Sequence, residues 1–273
     1  MKKTGRVWVV LAVIFTLVVL GSGCAKEKIA GVEIPEGAAS LDLSYKTLSA
    51  EDLEKLGALK ELTELNLRRS NISDLTSLAG LVKLEKLNLS QTGVSELSPL
   101  EGLKKLKELS LLDCHQVSDL SPLAGLAGLE SLELMNASVT DLSPLLGLER
   151  LRSLSIRETD VTDFSVLAQL SSLEDLNICS LALSELTPLA SLSNLKRLQM
   201  NTDRGLDLQP LEALTNLEKL YLLGEEEDLR GLAALENLKE LTIYSDSPDQ
   251  DMVQELQNAR PDLKIELAGL WGV

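Results

Sequence analysis

The chain has 273 residues and a formal net charge of −16, from 26 Lys plus Arg against 42 Asp plus Glu. This acidity excludes nucleic-acid binding as its main role, because phosphate contacts need cations. Hydrophobic residues make up 44% and aromatic residues 3%, so a leucine-dominated core is available. One His and three Cys exclude His/Cys zinc sites and a disulfide framework. No familiar catalytic or nucleotide-binding motif occurs, so we expect neither a cofactor nor catalysis.

The N-terminus has the pattern of a secretory signal. Three basic residues precede an apolar run over 7–20, which is short for a transmembrane helix, and we therefore predict a signal peptide over 1–23. The sequence Leu20-Gly21-Ser22-Gly23-Cys24 resembles the bacterial lipobox, although Gly21 stands where a large aliphatic residue is usual. This resemblance implies cleavage before Cys24 and attachment of a diacylglyceryl group to its thiol. An uncleaved signal anchor is the alternative.

A repeat of about 22 residues follows. Each unit contains an L-x-L alternation, as in 65–67, which predicts a short strand with one buried face. The strands recur after a full circuit of chain, so neighbours must stack in parallel. Ser-Pro or Thr-Pro on the return path predicts 3₁₀ or single-turn pieces there. The units start, at spacings of 21 to 23 residues, at Leu59, Leu81, Leu103, Leu126, Leu148, Leu170, Leu192, Leu214 and Leu235.

The repeat pattern L-x-x-L-x-x-L-x-L, continued by D/E-L-x-P-L, resembles the bacterial leucine-rich repeats of the internalin type over about 38–267. The resemblance implies an α/β leucine-rich repeat solenoid with a curved parallel β-sheet on the concave side and short 3₁₀ or α segments on the convex side. It also implies protein binding through the concave sheet. The usual buried Asn after the strand is replaced here by Ser70, Thr92, Cys114, Ala137, Thr159, Leu181 and Asp203.

Both ends of such a solenoid need covers, because an open core or strand edge invites aggregation. We predict a polar tether over 24–37, an N-terminal cap with the first rung over 38–58, repeats over 59–246 and a C-terminal cap over 247–273. In the N-terminal cap, Ser49 should begin a helix. In the C-terminal cap, Ser247-Pro248-Asp249-Gln250 has the form of a capping box, and a last strand is expected over 263–267.

Residues that flank the buried strand leucines should line the concave face. Apolar residues and an arginine stand out there, and Tyr is enriched at protein interfaces. We therefore predict partner binding by Leu112, Met135, Arg157, Tyr221, Leu223 and Tyr244. The alternative is that these are scattered exposed apolar residues without a role.

One acidic residue recurs in each repeat, just before the x-P-L turn. A carboxylate there can accept hydrogen bonds from turn N–H groups. A calcium ladder is the alternative, although one carboxylate per rung supplies few of the six to eight oxygens that calcium needs. The acidic column comprises Asp74, Glu96, Asp119, Asp141, Asp163, Glu185, Asp207 and Asp228.

Of the two cysteines in the repeats, Cys114 should be a core thiol and Cys179 should lie on the concave face. They lie three rungs apart, about 14 Å, which is too far for a disulfide. A catalytic role for Cys179 is disfavoured, because the chain's single histidine, His115, lies on another rung.

These features together predict a membrane-anchored extracytoplasmic module that binds a protein partner, of basic surface, without nucleic acid. Three alternatives stay open. They are a structural envelope component, an enzyme with an unrecognised site, and a cytosolic regulatory leucine-rich repeat protein.

Overall fold

The computed structural model describes residues 27–180, 182–201, 206–224 and 228–269. Eleven of its strands form one parallel sheet, in which every strand pairs with the next one along the chain. The predicted signal peptide, Cys24, Leu181, Asp203 and the last four residues of the C-terminal cap lie outside the described residues. The strands of the sheet are β3 Ser40–Asp42, β4 Glu64–Asn66, β5 Lys86–Asn88, β6 Glu108–Ser110, β7 Ser131–Glu133, β8 Ser153–Ser155, β9 Asp175–Asn177, β10 Arg197–Asn201, β11 Lys219–Leu223, β12 Glu240–Tyr244 and β13 Lys264–Ala268.

The strand leucines form continuous buried columns. Leu65, Leu87 and Leu109 are paired in register across β4, β5 and β6, and each is at most 2% exposed. The residues on either side of each leucine point away from the core and are half-buried. The predicted alternation and its phase are confirmed, because a one-residue slip would have turned the leucines outward.

The return path is built from 3₁₀ turns, as predicted from the Ser-Pro and Thr-Pro pairs. Pro stands in the first turn of five of them, where its missing N–H costs nothing. Each turn buries at least one leucine against the back of the sheet. The turns are Thr76–Leu78, Ser98–Leu100, Ser121–Leu123, Ser143–Gly147, Ser165–Gln169, Thr187–Ser191, Gln209–Ala213 and Leu229–Ala234.

Two α-helices close the ends of the coil: α1 Ala50–Ala58 and α2 Gln250–Ala259. Ser49 caps α1 as predicted. The predicted box at Ser247 is wrong in position, because Asp249 is the N-cap and its carboxylate accepts N–H groups from the first turn of α2 at 2.9 and 3.0 Å. No helix in the described ranges has the length and apolar character needed to cross a membrane.

The prediction of a tether over 24–37 is wrong from residue 27 onward. There the chain forms an antiparallel hairpin of β1 Lys28–Ile29 and β2 Val32–Glu33 that packs on α1. Ile29 is fully buried, and the N–H of Ala30 donates to Asp52 of α1 at 2.7 Å. That bond, with those from Ser49, lowers the pKa of Asp52 to about 2. The described part of this segment therefore belongs to the N-terminal cap.

The sheet changes character along its length. After each of β3 to β8, one non-glycine residue adopts a left-handed backbone with φ between 54 and 60° and ends the strand. From β10 onward the strands instead continue to five residues. The sheet is consequently wider at its C-terminal end. We call the six left-handed residues the rim column: Tyr45, Arg69, Gln91, Asp113, Asn136 and Glu158.

Candidate functional site: the concave face

The concave face is the side of the eleven-stranded sheet that points away from the leucine core. On it, the six predicted partner-binding residues are all half-buried, and none lies in the core. Their exposed position agrees with the predicted strand phase, while their role in binding stays a prediction. They form two groups rather than one, since three lie on β11 and β12 and three follow β6, β7 and β8.

The C-terminal patch consists of Tyr221, Leu223 and Tyr244. Leu223 pairs in register with Tyr244, and Tyr221 lies two residues before Leu223 on the same side of β11. Burial, the neighbouring Tyr221 and the carboxylate of Glu266 raise the pKa of the Tyr244 hydroxyl. The wide part of the sheet thus presents two aromatic rings and a leucine side by side.

The central cluster consists of Leu112, Met135 and Arg157, on three consecutive rungs. Its backbone continues the hydrogen-bond ladder, in which Asp113 N–H donates to Met135 O at 2.8 Å. The Nε of Arg157 donates to the Glu158 carboxylate at 2.9 Å, so its charge is already paired. About 14 Å, or three strand spacings, separates Arg157 from Tyr221.

A column that the sequence analysis missed lies at the first position of each strand. A charged residue occupies this position in eight of the eleven strands, and neighbours of opposite sign form ion pairs: Lys86 with Glu108, Asp175 with Arg197, and Lys219 with Glu240. Burial raises the pKa of Asp175 despite its arginine partner. These pairs could have been found by aligning the repeats, because the charges become neighbours only in register. These pairs hold adjacent rungs together and leave few open charges on this part of the face.

The rim column was also missed, because neither Tyr nor Arg or Gln is typical of a left-handed backbone. Arg69, Gln91, Asp113 and Asn136 are linked by side-chain hydrogen bonds from rung to rung. Asp113 accepts from Gln91 Nε2 at 2.8 Å and from Asn136 Nδ2 at 2.7 Å. The guanidinium carbon of Arg69 lies 5.5 Å from the centre of the Tyr45 ring, and Tyr45 is 62% exposed. This corner combines an exposed aromatic ring with a cation.

The six aspartates of the acidic column cap turns, as predicted, whereas in the described part of the chain its two glutamates accept no such backbone N–H. Asp119 and Asp141 each accept the N–H two residues further on at 2.8 Å. Asp74, Asp163, Asp207 and Asp228 make the same bond at 2.8 to 3.0 Å. Hydrogen bonds from Ser121 lower the pKa of Asp119, and those from Arg230 lower the pKa of Asp228 to about 2. Within the described residues, no group of three or more His, Cys, Asp or Glu side chains could hold a metal ion.

At the position of the missing asparagine, Thr92 and Cys114 bond inside the coil, whereas the Ser70 hydroxyl is buried without a hydrogen-bond partner among the described residues. Thr92 Oγ1 donates to Leu89 O at 2.6 Å, and Cys114 Sγ donates to the same oxygen at 3.1 Å. Cys114 is fully buried, and burial raises the pKa of its thiol. The expectation that Cys179 is displayed on the concave face is wrong, since it is only 3% exposed. Neither of these two cysteines forms a disulfide.

Known proteins share both the repeat and the fold of this chain. A family model described as Leucine Rich repeats (2 copies) matches residues 82–125. An internalin (inlF) of Listeria monocytogenes is 30% identical over 86% of this chain and 68% of that protein, with a TM-score of 0.74. Internalin C2 (inlC2) of the same species is 31% identical over 75% and 80%, with a TM-score of 0.51. A leucine-rich repeat protein of Leptospira interrogans shares the fold at 18% identity over 78% and 68%, with a TM-score of 0.50. No curated protein sequence matches.

Proposed function

This chain belongs to the internalin-like family of leucine-rich repeat proteins, and from that premise we propose that it binds a protein partner through its concave face. The C-terminal patch is the main contact and the central cluster a second one. The observation that carries the proposal is the adjacency of Tyr221, Leu223 and Tyr244 on the widened sheet. Tyrosines in such a position bury area while their hydroxyls keep a hydrogen-bonding partner.

The scaffold supports this role by its rigidity. The strands that carry the patch are held by a full parallel ladder, and Leu220, Leu222 and Leu241 beneath it are at most 1% exposed. Binding to a pre-organised surface loses little conformational entropy, so more of the contact energy appears as affinity. The net charge of −16 steers a basic partner toward the chain and affects the association rate more than the final affinity.

Cross-linking in intact cells tests the concave contact. We expect a discrete cross-linked partner with the wild type and a loss of at least tenfold in the double variant Tyr221→Ser/Tyr244→Ser. Leu146→Ser is the matched control, because Leu146 is an apolar residue, 42% exposed, in a turn on the opposite side of the coil. Equal capture by the double variant and the wild type would refute a role for the patch and would favour a structural component that uses another surface.

We further propose that the protein is extracytoplasmic and attached to a bacterial membrane by lipid on Cys24, and that it is not an enzyme. Two acyl chains bury enough methylene groups, at about 0.8 kcal/mol each, for stable anchoring. Wild-type protein should sediment with membranes, and Cys24→Ala should not be labelled by a radioactive fatty acid. A wild type that stays in the cytosolic fraction would refute the anchor and support the cytosolic alternative.

A further inference from the structure

We infer that the N-terminal end of the concave face contains a carboxylate-binding subsite, in which Arg69, held by Tyr45 and Gln91, takes an acidic side chain of the protein partner. This inference rests on the proposed function in that the acidic side chain belongs to the same partner. The subsite lies seven strand spacings, about 34 Å, from the C-terminal patch.

The side chain of Arg69 is held from two directions. Its guanidinium stacks over the Tyr45 ring at 5.5 Å, a cation–π contact, and its Nε donates to Gln91 Oε1 at 2.5 Å. The amide of Gln91 is oriented in turn, because its Nε2 donates to Asp113. The left-handed backbone at Tyr45 and Arg69 places both side chains on the rim, on neighbouring rungs. An arginine fixed in this way loses little further freedom when it binds.

The outer edge of this guanidinium is available. In the described part of the chain, the two terminal nitrogens of Arg69 make no hydrogen bond, and its Nε is the nitrogen in use. Two parallel N–H groups on one planar edge match the two oxygens of a carboxylate. Arg68, the residue directly before Arg69, reinforces the site, because its Nη2 also donates to Gln91 Oε1, at 3.4 Å.

The arginines of this subsite differ from the other basic residues of the concave face, because they have no carboxylate partner in the part of the chain that the structure describes. Lys86, Arg157, Arg197 and Lys219 each have a carboxylate within 4.0 Å. Among the described residues, Arg68 and Arg69 have none at that distance. Two unpaired arginines on a chain of net charge −16 therefore form a local positive site in a negative field. Because the proposed partner is a protein, whose unmodified anionic side chains are Asp and Glu, the ligand proposed for this site is a carboxylate.

Nuclear magnetic resonance on the full chain in a neutral detergent tests the subsite, with the arginine side chains labelled by ¹⁵N. The ligand used is a blocked peptide with two adjacent glutamates, and its diglutamine counterpart is the reference. We expect the Arg69 Nε–H signal to shift saturably with the glutamate peptide alone, in the millimolar range. Arg69→Lys keeps the charge but loses the planar fork, so peptide affinity should fall about tenfold. Arg150→Lys, the same change at an exposed return-path position, should alter it less than twofold.

Three results would overturn the inference: equal affinity of Arg69→Lys and the wild type, equal shifts with the diglutamine peptide, or tighter binding of inorganic phosphate at matched ionic strength. The last would assign the site to a phosphate group instead. The peptide measurement is independent of the C-terminal patch, since Tyr221→Ser/Tyr244→Ser should bind the glutamate peptide as the wild type does. A wild-type chain that gives no cross-linked partner in intact cells would thus refute the proposed function and leave the peptide result intact.

Discussion

Replacing Gly57 by alanine sets two opposing effects against each other at the N-terminal cap. Gly57 lies in α1, where alanine would favour the helix by up to about 1 kcal/mol. However, a Cβ at this position would lie 2.9 Å from the backbone oxygen of Ser77, in the first 3₁₀ turn. Relief of that overlap requires α1 to move off the turn it covers, and overpacking of this kind costs about 1–3 kcal/mol. The steric overlap outweighs the gain in helix propensity, and we expect the free energy of unfolding to fall by about 1 kcal/mol.

Thermal and urea unfolding followed by circular dichroism measure this difference, which corresponds to a lowering of Tm by about 2–4 °C. Hydrogen exchange should accelerate in α1 before it changes in the central rungs, because each rung is stabilised by its neighbours. Gly102→Ala is the control, since its Cβ would have Ala79 O at an ordinary 3.8 Å, and it should leave Tm unchanged or slightly raised. A Gly57→Ala protein that melts higher than the wild type would contradict the close packing of α1 on the coil.

Three further changes probe the rungs. Glu174 forms ion pairs with Arg152 and Lys196 on the two neighbouring rungs, so Glu174→Lys should lower the free energy of unfolding by about 1–2 kcal/mol. Adding Lys196→Glu to this variant should restore part of the lost stability, whereas no recovery would argue against the pairing. Hydrogen bonds lower the pKa of the capping aspartates, so their contribution to the free energy of unfolding is complete above about pH 4 and disappears as the pH falls through the lowered pKa values. Asp119→Asn should therefore weaken the loss of stability at acid pH, measured by urea unfolding at a series of pH values, and an unchanged acid dependence would contradict the cap. Arg260 donates to three carbonyl oxygens of the last repeat, so Arg260→Ala should destabilise by about 2–3 kcal/mol in urea unfolding, and Arg260→Lys by less.

The repeats could be predicted because the information is local and is repeated in each rung. An L-x-L alternation fixes which strand residues point inward, and the spacing of the repeats fixes which residues become neighbours. Tyr221 and Met135 could therefore be placed on the exposed side without coordinates. The same reasoning placed the carboxylate of Asp119 at the start of a turn, where the structure shows it accepting an N–H.

Features that depend on a particular tertiary contact could not be predicted in this way. The hairpin at 28–33 is only six residues long, and it is ordered by burial of Ile29 and by the bond from Ala30 to Asp52. The left-handed backbone of Gln91 follows from the stacking of rungs, since its N–H must reach Leu112 O. The environment of Cys179 is likewise set by surrounding rungs and not by its position in the repeat.

In the proposed complex, the rim column and the C-terminal patch make different demands on the partner, and the geometry of the sheet links them. A fully extended segment advances at most about 3.3–3.6 Å per residue, so about ten residues span the 34 Å between Arg69 and Tyr221. Such a segment would cross the strands at right angles and contact the central cluster on its way, with Leu112 and Met135 under its middle. A folded domain can do the same only with a convex surface that follows the curve of the sheet. Under this proposal, the distance between the polar and the aromatic ends sets a length requirement, which favours partners that present an acidic group and an apolar group at this separation.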